Sequence, residues 1–154
     1  MSTSAGVGAR VIDRRNDPAS GVAGAGAVSW YNGHMTQQTA LDAAEIAQRI
    51  VDELSDKHVE HIVLLDVSKV SGFTDYFVIG TATSERQMKA VVESLERILA
   101  EHGVHPRARE GRPESGWVLL DFNDVVVHLF SPDARAFYRL DELWSRLVPV
   151  VRFT

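Results

Sequence analysis

The chain has 154 residues, 45% hydrophobic and 24% charged, with a formal net charge of -5 and no cysteine. That length predicts one core-forming domain, and the composition is that of an ordinary globular protein. A disulfide frame, a thiolate zinc site and a cysteine nucleophile are excluded, and no apolar run approaches the roughly 18 residues of a membrane span. The acidic balance argues against a general binder of DNA or RNA, and leaves either a solubilising surface or a partner with a basic one.

Residues 1–34 are rich in glycine, alanine and polar residues, and no apolar period runs through them. His34-Met35 is a dipeptide that a common cloning site encodes, and MTQQTALDAAE reads like a natural start. The segment 1–34 is therefore expected to be a flexible leader or a vector-derived extension, with the functional domain at 35–154.

From Thr39 to about Lys57, Leu41, Ala44, Ala47, Ile50, Val51 and Leu54 recur at helical spacing. His61 to Val67 predicts a buried strand, Ser68 to Phe73 a connection, and Thr74 to Ala82 a second strand. Ser84 and Gln87 have the spacing of a capping box at the head of a long helix. Met88, Val91, Val92, Leu95, Ile98 and Leu99 form its apolar stripe, and Gly103 ends it. A short strand is possible at Arg107–Glu110.

The run GWVLLDFNDVVVHLF predicts a hairpin turning at Asn123-Asp124. That register pairs Phe122 with Val125, Leu120 with Val127 and Val118 with Leu129, making one fully apolar face. The other face pairs Asp121 with Val126, Leu119 with His128 and Trp117 with Phe130, mixing rings with a carboxylate and an imidazole. Ser131-Pro132 then opens a last helix. The order α-β-β-α-β-β-β-α predicts an α/β protein with a mixed sheet flanked by helices.

Several constellations invite chemistry. Asp66, Asp75, Asp121 and Asp124 lie on or beside strands, where carboxylates hold magnesium in phosphoryl and nucleotidyl transfer. No GxxxxGK[ST] or GxGxxG cradle accompanies them, so a metal-dependent transferase is the minor reading. His58/His61 and His102/His105 lack acidic or cysteine partners at ligand spacing, and His128 fits a hydrogen-bonded imidazole better than a metal ligand. No GxSxG elbow is present. Arg107, Arg109 and Arg112 form a small basic cluster interleaved with Glu110 and Glu114, which favours a solvated loop over contact with RNA phosphate. On the last helix Phe137, Leu140, Trp144 and Leu147 read as a core stripe, with Tyr138 and Asp141 beside each other at i,i+3. Trp144 fits the core, whereas Trp117 and Tyr138 fit core and interface equally.

The segments DVSKVSGFTDYFVIGTATSERQ, EGRPESGWVLLDFNDVVVHLFSPDARAFY and RLDELW resemble the Iojap-like family, the ribosomal silencing factors. The likeness runs from about Leu41 to Leu147, in matching order and spacing. It implies a nucleotidyltransferase-like fold without enzymatic activity, cofactor or metal. It also implies a cytoplasmic repressor that binds the large ribosomal subunit through protein uL14 and blocks subunit joining, with a homodimer when free. Carried onto this chain, the family's binding region falls on Trp117, Tyr138, Leu140 and Asp141, with Asp75, Tyr76 and Asp121 as neighbours. Asn123 stands where the family motif usually has glycine, and residues 1–34 have no family counterpart.

Overall fold

The hairpin forms in the register that its side chains dictate. β6 (Trp117–Asp121) and β7 (Val125–Phe130) pair antiparallel with Trp117 opposite Phe130, Leu119 opposite His128 and Asp121 opposite Val126. Asn123 takes φ +76°, a left-handed conformation that asparagine tolerates better than most residues, and its N–H donates to Asp121 Oδ1 at 2.7 Å. The computed structural model describes residues 27–31, 34–38 and 40–153, in two compact units, Met1–Glu45 and Ile46–Thr154.

In the first unit, β1 (Ala27–Tyr31) and β2 (His34–Gln38) pair antiparallel, with Trp30 opposite Met35. No element was expected there. The signal lies in the sequence: Asn32-Gly33, a strong hairpin dipeptide, follows a segment carrying Val28, Trp30 and Tyr31. The hairpin crosses the boundary expected at 34/35. α1 (Ala43–Asp56), which belongs to the second unit from Ile46 onward, is opened by a capping box in which Glu45 N–H donates to Asp42 Oδ1 and Asp42 N–H to Glu45 Oε1, both at 2.9 Å.

The second unit is built on a six-stranded mixed sheet whose strands, from one edge to the other, are β5 (Ala108–Glu110), β6, β7, β4 (Tyr76–Thr81), β3 (Glu60–Asp66) and β8 (Val150–Phe153); β4 and β7 run parallel and the other neighbours antiparallel. β3 (Glu60–Asp66), β4 (Tyr76–Thr81) and β5 (Ala108–Glu110) lie close to the expected positions. β4 and β7 are central and buried at every residue, which is why both read as unbroken apolar runs. α2 (Glu85–Ala100) begins as predicted, with Ser84 Oγ accepting from Gln87 N–H at 3.0 Å. The returning bond comes from Thr83 N–H to Gln87 Oε1, at 2.7 Å.

α1 and α2 share one side of the sheet. Ser94 Oγ donates to Glu53 Oε2, and Gln87 Nε2 donates to the carbonyls of Lys57 and His58. Ile50, Leu54, Val91, Leu95 and Leu99 are fully buried there, each contributing about 1.5–3 kcal/mol by leaving water.

The C-terminal segment departs from expectation. The single helix predicted after Ser131 breaks at Arg139, whose φ is +52°, into α3 (Pro132–Tyr138) and α4 (Leu140–Ser145). Leu140 and Trp144 pack on the sheet face opposite α1 and α2, against a cluster that includes Val63, Leu65, Phe77 and Phe130. Phe137 and Leu147, expected in the same core stripe, are exposed at 76% and 66%. A four-residue strand that was not expected, β8 (Val150–Phe153), then pairs antiparallel with β3. It is short and preceded by Pro149, so the β-branched pair Val150-Val151 was too brief to register as a strand.

Candidate interaction surface

A row of rings crosses the sheet face that carries α3 and α4. Phe77 lies edge-on to Trp144 at 5.3 Å between ring centroids and edge-on to His128 at 5.1 Å. Trp117 sits 4.8 Å from Phe130 and 4.5 Å from Tyr138, whose ring meets Phe137 edge-on at 4.9 Å. The middle of the row is buried. Its ends are not: Phe73 is 56% exposed, Tyr138 50% and Phe137 76%.

Strand alternation places Trp117 and His128 on this face, and a hydrogen bond orients both. Trp117 Nε1–H donates to His128 Nδ1 at 3.2 Å, which puts the imidazole proton on Nε2. Nε2 is buried and has no partner among the described residues. Burial lowers the His128 pKa to about 4, so the ring is neutral at pH 7. The histidine therefore serves as a fixed acceptor that sets the plane of the indole.

Beside the indole is a shallow depression of about 330 Å³, lined by Glu110, Gly111, Ser115, Trp117, Leu119 and Tyr138. Gly111 makes it possible for the loop to lie so close to β6. Its φ is +84°, and a Cβ there would stand 2.1 Å from the Trp117 carbonyl oxygen. Gly111→Ala is expected to lower stability by about 1–3 kcal/mol through the left-handed backbone and the displaced loop. An unchanged urea midpoint would contradict that account.

The residues singled out from the sequence do not form one patch. Trp117 and Tyr138 touch, and Leu140 lies just past the break in the helix. Asp141 is 9% exposed; its carboxylate accepts from Arg135 Nε at 3.1 Å and lies 3.9 Å from Arg152. Asp75 and Tyr76 are buried, at 4% and 2%, and their N–H groups donate to the Asp124 carbonyl at the hairpin tip. Asp121 accepts from Arg107 Nη2 at 3.0 Å. Asp121 and Trp117 end the same strand, about 13 Å apart at 3.3 Å per residue. The exposed part of the expected surface thus narrows to Tyr138 and the rim of Trp117. Phe137 belongs with them, and the sequence concealed it inside an apparent core stripe.

The strand-borne aspartates have local work. Asp66 Oδ1 accepts from Ser68 N–H and Oγ–H at 3.0 and 2.6 Å, and Asp121 caps the turn at Asn123. Among the described residues no three His, Cys, Asp or Glu side chains gather to hold a metal, and no helix is long and apolar enough to cross a membrane.

Residues 40–152 match the model of a family described as ribosomal silencing factor during starvation (RsfS). The chain belongs to the ribosomal silencing factor family. A ribosomal silencing factor of Bacillus subtilis is 36% identical over 111 residues, spanning 72% of this chain and 89% of the relative. Another, from Halalkalibacterium halodurans, is 38% identical over 101 residues, spanning 66% and 86%. A solved structure from Chromobacterium violaceum superposes with a TM-score of 0.65 at 34% identity, covering 68% of this chain and 88% of that one. The expected membership and the expected mixed α/β sheet both hold.

Proposed function

We propose that this ribosomal silencing factor binds the large ribosomal subunit through protein uL14 and represses translation by keeping the small subunit off the joining face. The observation that carries the reading is the Trp117–Tyr138 contact, an aromatic pair that continues into the exposed ring of Phe137. Tyrosine and tryptophan anchor interfaces because they bury much area while losing few rotatable bonds. A chain of net charge -5 also suits a basic protein surface, through complementarity and steering. The mechanism needs no bond-making: a folded domain seated on a joining face excludes the other subunit by its volume. The reading also includes no enzymatic activity and no cofactor, a cytoplasmic location, and a domain at 35–154 preceded by a flexible leader or vector-derived extension at 1–34. It also includes a homodimer of the free protein, held through the same exposed rings.

The test is co-sedimentation of the chain with purified 50S subunits, followed by addition of 30S. Wild type is expected to pellet with 50S and to reduce 70S formation. Tyr138→Ala is expected to weaken binding by about 2 kcal/mol, roughly thirtyfold, as loss of an interface anchor does. Failure of wild type to pellet would overturn the proposal. Light scattering that finds only monomer at high concentration would remove the homodimer.

A further inference from the structure

The loop that forms one wall of the aromatic depression forms, on its other side, part of an open groove of about 500 Å³ between α2 and the turn at Pro113. Four cations line it: Arg86 and Lys89, one turn apart on α2, and Arg109 and Arg112 from the loop. The sequence separates these pairs by about twenty residues, and only the packing of α2 against the Pro113–Ser115 turn brings them together. All four are exposed. Arg109 leans on Glu96 at 3.6 Å, whereas Arg86, Lys89 and Arg112 make no ion pair among the described residues. Arg107, the remaining member of the basic cluster seen in the sequence, is held by Asp121 and takes no part.

Unpaired cations gathered in a groove of an acidic protein call for an anionic partner. Two carboxylates, Glu85 and Glu114, share the walls. They disfavour a compact free phosphate, which would feel both at once. An extended polyanion can set its charges against the cations and pass the carboxylates by. Arginine and lysine together are the usual ligands of phosphodiester oxygens.

We infer that the groove lined by Arg86, Lys89 and Arg112 takes the phosphate backbone of ribosomal RNA while the neighbouring aromatic surface meets protein. The inference rests on the large-subunit reading above. It adds a second point of attachment on the other side of the 111–116 loop, and thereby fixes the rotation of the factor on the subunit. A net charge of -5 confines this attraction to short range, so the groove orients a factor already docked and does not capture bare RNA.

The test follows binding to purified 50S subunits across a potassium chloride series. Each phosphate contact contributes about 0.7–0.9 to the slope of log affinity against log salt, so the variant Arg86→Ala/Lys89→Ala/Arg112→Ala should flatten the slope by about 2–3. Tyr138→Ala should weaken binding at every salt concentration and leave the slope unchanged. Equal slopes for wild type and the triple variant would overturn the inference while leaving the large-subunit reading intact. Absence of wild-type binding at any salt concentration would overturn both. A second measurement identifies the partner. The chain has no cysteine, so Glu114→Cys carries a single photo-crosslinker at the lip of the groove. Ribonuclease-sensitive adducts with 50S are expected. Adducts with protein alone, or none, would sink the RNA assignment.

Discussion

Arg135→Ala is expected to lower the stability of the second unit by about 3–5 kcal/mol, the cost of breaking a buried ion pair and leaving its partner uncompensated. Arg135 joins α3 to three other elements. Arg135 on α3 donates through Nε and Nη2 to Asp141 at the start of α4, through Nη1 to Thr81 Oγ1 on β4 at 2.9 Å, and through Nη2 to the His61 carbonyl on β3 at 2.9 Å. The side chains of Arg135 and Asp141 are only 13% and 12% exposed, so the pair is largely shielded from water. Truncation strands the Asp141 carboxylate with Arg152 alone, at 3.9 Å. It also removes the clamp that holds α4 against the sheet after the break at Arg139.

Urea unfolding measures the effect. The double variant Arg135→Met/Asp141→Leu is expected to recover most of the loss, because it removes both charges and fills the space. A fall of less than about 1 kcal/mol for Arg135→Ala would mean the pair is solvated and the clamp is elsewhere.

Acidification from pH 7 to pH 5 is expected to remove about 2 kcal/mol of stability through His128 alone, and about 3 kcal/mol by pH 4. Burial lowers its pKa from 6.5 to about 4. Above pH 6.5 the ring is neutral in both states and makes no difference. Between 6.5 and 4 the unfolded chain takes up a proton that the folded chain refuses, so stability falls as pH falls. Below about 4 both states are protonated and the loss levels off. Protonation also turns Nδ1 from acceptor to donor, which ends the bond from Trp117 Nε1–H and frees the indole. Urea midpoints at pH 7, 6 and 5 for wild type and His128→Phe provide the check. The variant is expected to be weaker at pH 7, having lost the Trp117 bond, but flatter across the window. Parallel slopes for the two proteins would refute the assignment.

The two effects touch the aromatic surface from opposite sides. Arg135 holds the segment that carries Tyr138 and Leu140, and His128 holds the ring of Trp117 against which Tyr138 packs. A surface that must meet a rigid partner benefits from both constraints, since each ordered side chain then loses less freedom on binding.

Most of the sheet was legible from side-chain periodicity. The hairpin register, the two long amphipathic helices, the Ser84 and Ser131 caps and the positive φ of the turn all follow from interactions between residues near in sequence. Motif resemblance supplied the family, because it reads many spaced residues at once. The break at Arg139 was not legible: Phe137, Leu140, Trp144 and Leu147 have the spacing of one continuous stripe, and nothing local marks Arg139 for a left-handed conformation. The break pairs Arg135 with Asp141 and seats Leu140 and Trp144, contacts made against β3, β4 and the neighbouring cluster. The burial of Asp75 and Tyr76 and the meeting of Arg86 and Lys89 with Arg112 are long-range in the same way.

What the sequence determined by itself was the class of fold, the family and the pairing of neighbouring segments, since hydrophobic period and turn chemistry act over a few residues. What only the tertiary structure decided was which polar and aromatic side chains reach the surface. Exposure depends on how distant elements close over one another, and no local pattern encodes that.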